Sequence, residues 1–95
     1  MNAQIRKLVK SSRHKIVWIT EPGDKISDLV SFLKTLGLNV YEDPGDYDDY
    51  GSLIVTNFKM TYESYIRAYG RIGGDPSWAR ETFGDKANEE LNVVT

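Results

Sequence analysis

Lys15-Ile16-Val17-Trp18-Ile19-Thr20 opens the stretch that decides the fold, and Ser52-Leu53-Ile54-Val55-Thr56-Asn57 closes it. In Ile16 to Ile19 and in Leu53 to Val55 both alternating sets are apolar, the pattern of a strand covered on both faces. Between these runs Ile26, Leu29, Val30, Leu33 and Leu36 recur at three- and four-residue steps, which places one apolar stripe along a helix. Asp24 is placed to cap that helix, Asp28 lies near its positive end, and Gly37 suits the left-handed position that ends it. Leu38 to Glu42 reads as an edge strand with Asn39 and Glu42 outside. A strand–helix–strand unit in one sheet forms a right-handed parallel crossover. The expectation is an α/β fold: a small three-layer domain with a mostly parallel sheet of order 2-1-3. The segment 42–51 is short for a parallel crossover without a helix of its own, so a hairpin between the second and third strands is the competing topology.

Working outward, Asn2 to Ser12 fits a short helix with Ile5, Leu8 and Val9 on one face. Arg6, Lys7, Lys10, Arg13, His14 and Lys15 make this end basic, a solvated face or a contact for an acidic partner. After Asn57, Thr61 can cap a helix whose partly apolar face holds Met60, Tyr65, Ile66, Tyr69 and Ile72. Gly73-Gly74-Asp75-Pro76 breaks the chain, and Asp75 with Pro76 starts a last short helix. Trp78 and Phe83 are expected to dock on the sheet. Residues from Gly84 onward are polar as far as Val93-Val94 and are expected to fray. The whole chain, 1–95, reads as one domain: a helix and linker over 1–13, an α/β core over 14–83 and a tail over 84–95.

Ninety-five residues, 40% hydrophobic and 27% charged, is ordinary composition for one modest core. A net charge of −2 gives no bulk attraction to nucleic acid or an anionic membrane. There is no cysteine, hence no disulfide framework and no thiolate site. No apolar run nears the ~20 residues of a membrane span, and the first residues lack the apolar centre of a signal peptide. These features predict a soluble, cytoplasmic chain or an excised domain.

The most biased stretch is EDPGDYDDYG, from Glu42 to Gly51. Glu42, Asp43, Asp46, Asp48 and Asp49 accompany Tyr47 and Tyr50, an acidic aromatic surface suited to docking a partner protein. It lacks the spacing and terminal glutamate of a calcium loop. A second candidate lies in the loops at the strand ends, with Thr20, Glu21, Asp24, Asn57 and Lys59; two acids without a third make no strong magnesium site. A third is an aromatic–basic face of Tyr62, Tyr65, Arg67, Tyr69 and Arg71, which could stack single-stranded bases.

KIVWITEPGDKISDLVSFLKTLGLNVYE resembles the opening strand, acid–proline loop and first helix of two-component receiver domains, and LIVTNFKM resembles the strand that carries their phospho-accepting aspartate. The resemblance covers about Lys15 to Met60. Asn57 stands at the phospho-acceptor position, Ile19 and Thr20 at the paired acids, with only Glu21 in place, and Thr61 follows the methionine where the family has proline. The resemblance therefore implies a truncated pseudo-receiver that neither binds magnesium normally nor takes phosphate. The order helix, Leu-Gly, strand, SLIVTN, helix, PSW is similar to that of BRCT domains, which bind phosphopeptides. In that resemblance Thr20 stands for the phosphate-contacting hydroxyl and Lys59 for the lysine, while Glu21 replaces the expected glycine.

An enzyme needs convergent polar groups, and the single histidine, His14, sits in a basic linker. The sequence reading is a non-enzymatic protein-interaction or regulatory module on a pseudo-receiver-like scaffold, without cofactor or metal, whose acidic Tyr-rich loop docks another protein. The alternatives are a BRCT-like phosphopeptide binder, a small inhibitor whose acidic surface imitates DNA, and a single-stranded nucleic-acid binder. Nucleic-acid affinity is expected to be low, because the cations fall in two separated places, Arg6 to Lys15 and Arg67 to Arg80.

Overall fold

The computed structural model describes residues 3–20, 26–45 and 52–94, and the chain divides into two compact units, 1–59 with 92–95, and 60–91. The first unit holds helix α1 (Ala3–Lys10), strand β1 (Ile16–Ile19), helix α2 (Ile26–Thr35) and strands β2 (Asn39–Glu42) and β3 (Leu53–Thr56). The sheet order is β1-β3-β2, and both pairings are antiparallel. The fold is mixed α/β as expected, but the mostly parallel 2-1-3 sheet is not formed. Leu53 to Thr56 lies between its neighbours, in register Val17↔Val55↔Val40 and Ile19↔Leu53↔Glu42.

Two physical facts account for the difference. All four residues of β3 are buried, whereas all four of β1 are half-buried, so β3 takes the centre. The segment from β2 to β3 is long enough to turn back but too short to cross over, so these strands form the hairpin. Since β1 and β2 are each antiparallel to β3, they run parallel to one another. The β1–α2–β2 crossover therefore exists, with β3 lodged between its strands.

The register sorts the strand residues onto two faces. Val40, Leu53 and Val55 join Ile5 and Leu8 of α1, Val30 and Leu33 of α2 and Leu38 in one buried cluster, with Val17 and Ile19 packed against it. Ile16, Trp18, Asn39, Tyr41, Ile54 and Thr56 occupy the opposite face, on which Tyr41 and Ile54 are fully buried. β2 is an edge strand, as its alternation suggested, and its outer side is closed by residues 92–94. Glu42 N donates to Asn92 O (2.9 Å), Val94 N donates to Val40 O (2.9 Å), and Tyr41 bridges to Val93. The expected frayed end is thus paired with the sheet, because it supplies the partners that an edge strand lacks.

Helix α2 ends as its sequence predicts. Leu38 N donates to Leu33 O, Gly37 N donates to Lys34 O, and Gly37 has φ 78°. These bonds satisfy the last carbonyls and turn the chain into β2. Asp24, the expected cap at the other end, lies outside the described residues.

The second unit is a helix pair closed at its base. Thr61 caps α3 (Tyr62–Arg71), its Oγ1 accepting from Ser64 N; Asp75 caps α4 (Pro76–Phe83), its carboxylate accepting from Ser77 N and Trp78 N. Gly73 (φ 92°) lets the chain leave α3, with Gly74 N donating to Tyr69 O. A 3₁₀ turn at Gly84–Lys86 leads back to α3, where Leu91 N donates to Met60 O (3.0 Å) and Tyr62 N to Glu89 O (2.9 Å). Trp78 and Phe83, for which docking on the sheet was the expectation, pack on α3 within this unit. Phe83 meets Tyr62 and Tyr65 at centroid distances of 5.5 and 5.6 Å, and Trp78 meets Tyr69 at 5.5 Å. The aromatic spacing of α4 matches that of α3, and such pairs gain from edge-to-face and tilted contact.

Outside this cluster Glu63 receives both guanidinium N–H groups of Arg80, and Arg67 lies 3.5 Å away. The hydrogen bond from Arg80 holds the Glu63 carboxyl below its ordinary range.

Gly37→Ala is expected to cost about 1 kcal/mol, the strain of a left-handed alanine, since the space around Gly37 is open; urea unfolding measures it. Because the Glu63 pKa is depressed on folding, its contribution is present at neutral pH and is lost as pH falls through the lowered value. Glu63→Gln should therefore lower Tm at pH 7, and the gap from the parent should close in acid. An equal gap at both pH values would assign the effect to packing.

Candidate functional site

The first fifteen residues carry five cations and no acid, while the rest carry seven cations against fourteen acids. Helix α1 turns this imbalance into a surface. Ile5 and Leu8 are buried, which leaves Arg6, Lys7 and Lys10 exposed.

The linker from α1 to β1 is fixed by the residues that follow β3. The Asn57 side chain accepts from Lys15 N (2.9 Å) through Oδ1 and donates from Nδ2 to Ser11 O (3.3 Å) and Arg13 O (2.9 Å). The His14 ring stacks on Phe58 with centroids 4.5 Å apart and planes 14° apart. One amide and one ring pair thereby set α1 beside β1.

A groove of about 800 Å³ runs between them. Gln4, Arg6, Lys7, Leu8, Lys10 and Ser11 line its helix side, and Lys15, Ile16, Val17 and Trp18 its strand side. Successive strand side chains point to opposite faces. A groove lined by three consecutive strand residues therefore follows the strand's edge and not one of its faces. Among the described residues β1 pairs in the sheet only with β3. An edge strand of an antiparallel sheet turns about half its N–H and C=O groups away from its single neighbour. The groove thus has an apolar floor, an unpaired backbone edge and a rim of four cations. Among the described residues none lining it is acidic and none of these cations is ion-paired. The Trp18 Nε1–H is buried and finds no acceptor among the described residues.

The sequence-derived candidates fall elsewhere. Asp46, Tyr47, Asp48, Asp49 and Tyr50 lie outside the described residues, as do Glu21 and Asp24. Glu42 is exposed at the end of β2, and Asp43 is half-buried with its carboxylate accepting from Gly45 N (2.9 Å). Of the candidate loop site, Thr20 and Asn57 are not brought together. Ile16 pairs with Thr56 and Ile19 with Leu53, so Thr20 and Asn57 stand at opposite ends of the β1–β3 ladder. A parallel pair would have brought them together. Asn57 serves the linker, and Lys59 is exposed beyond it. On the aromatic–basic face Tyr62 and Tyr65 are buried against Phe83 and Tyr69 leans on Trp78, while Arg67 and Arg71 are exposed. The tyrosine rings there are engaged by α4 and present no open stacking platform.

The sequence does not display the groove, because the doubly apolar run of β1 reads as a central strand. Only an edge position for β1 turns the run of cations into the rim of a site.

No family model, no curated protein and no solved structure matches the chain. Among the described residues no helix is long and apolar enough to cross a membrane, and no group of three histidines and carboxylates could hold a metal ion.

Asn57→Asp is expected to destabilise the first unit by about 1–3 kcal/mol, because a carboxylate cannot donate to the Ser11 and Arg13 carbonyls: Ser11 O loses its Asn57 donor and Arg13 O keeps only the Ser11 hydroxyl. Thermal unfolding measures the loss. A variant as stable as its parent would show that the amide does not hold the linker.

Proposed function

We propose that the chain is a non-enzymatic protein-interaction module that accepts an extended segment of a partner along the free edge of β1. The observation that carries this reading is the groove itself, in which an unpaired strand edge lies between an apolar floor and a fixed helix. Strand addition to an exposed sheet edge draws affinity from main-chain hydrogen bonds and specificity from pockets for alternate side chains. Preorganisation lowers the cost of binding, and Asn57 with the His14–Phe58 stack supplies it. A regulatory module needs no convergent catalytic groups, and the one histidine is engaged in that stack. Binding of nucleic acid by α3 is disfavoured by the engagement of its tyrosines with α4. The acidic run from Glu42 to Tyr50 remains a second docking surface on grounds of composition, independent of the groove.

Selection of displayed random peptides against the intact chain, followed by amide hydrogen exchange, tests the reading. Enriched peptides should slow exchange at Ile16 to Ile19 and leave the second unit unchanged. Protection confined to other segments would overturn strand addition at β1.

A further inference from the structure

We infer that the segment accepted at the β1 edge is acidic, with carboxylates toward α1 and apolar side chains toward Trp18. The inference rests on the strand-addition reading and names its ligand class.

A strand added beside β1 continues both faces of the sheet. On one face its side chains meet α1, which presents Arg6, Lys7 and Lys10 at the groove. On the other they come alongside Ile16 and Trp18, which share that face by register. Alternation in the ligand follows from this asymmetry: acids at every second position, apolar residues between. Lys15 extends the positive field to the start of the strand. Complementary charge of this kind sets on-rate and partner choice.

The charge also excludes other occupants. A second copy pairing edge to edge through β1 would bring one cationic rim against another. The chain's own acidic run carries Pro44 and Gly45 and lacks alternating apolar residues, which makes it a poor strand. A single-stranded nucleic acid could meet the cations, but it has no backbone amides to pair with the strand edge.

The test uses fluorescein-labelled peptides of alternating glutamate and valine, and of alternating lysine and valine, with the intact chain. Anisotropy should show binding of the acidic peptide only, weakening several-fold between about 50 and 300 mM salt as the Debye length shortens. Lys7→Glu combined with Lys10→Glu should weaken it roughly tenfold; both sites are exposed, so folding is retained. Lys7→Gln combined with Lys10→Gln should fall between. Equal binding of both peptides, with exchange at Ile16 to Ile19 slowed by each, would overturn the acidic specificity and leave strand addition standing. If neither peptide protects those amides, strand addition itself fails. Displacement of the acidic peptide by an oligothymidylate of equal or higher affinity would assign the groove to nucleic acid. Concentration-dependent dimerisation that protects the same amides without peptide would assign it to a second copy.

Discussion

The ladder along Leu53–Thr56 is the constraint on which the first unit depends. β1 and β2 make no pairing with each other; each bonds to β3. The centre of an antiparallel sheet must offer apolar side chains on both faces and backbone partners on both sides. Of the three strands only β3 is buried at every residue. Its last side chain, Thr56, is the one buried polar residue among those described, and its hydroxyl is satisfied by the carbonyl of Phe58. From this placement the rest follows. β1 and β2 become edges, α1 and α2 cover the face that Val40, Leu53 and Val55 share, and Asn57 leaves β3 at the point where the linker from α1 arrives.

Local features were legible because local residues decide them. Gly37 ends α2, and Thr61 and Asp75 cap α3 and α4, since each of these positions has a geometric demand that few residue types meet. Strand identity was legible too. Strand order was not, because a doubly apolar run is equally consistent with a central parallel strand and a central antiparallel one. The choice rests on burial, and burial on partners far along the chain. The same error dispersed the site. Thr20 and Asn57 would have been neighbours at one sheet edge only if β1 and β3 ran in the same direction. The aromatics of α3 and α4 were individually visible, but their mutual packing needs the turn at Gly73, whose angle no local pattern states.

Free strand edges invite unwanted pairing, and proteins guard them with charge or cover. This sheet treats its two edges differently. β2 is closed by the chain itself through Asn92 and Val94, a neutral backbone pairing. β1 is guarded by Arg6, Lys7 and Lys10 on α1. A guard made of charge is selective, since it repels copies of itself and admits a strand of the opposite sign. Trp18 adds a further asymmetry: an apolar ring with a buried donor that no described residue satisfies.

The closure of β2 also has a consequence in time. Val40 and Val94 are far apart along the chain, so during synthesis the edge of β2 is made long before the segment that seals it. Residues 60–91 lie in between, and their ends meet through Met60 and Leu91. Until residues 92–94 pair with β2 the sheet carries two open edges among the described residues, and α1 defends only one of them. Delays before residues 92–94 are available would lengthen that exposure, and chaperones that capture unpaired strands would find β2 before that pairing and not after it.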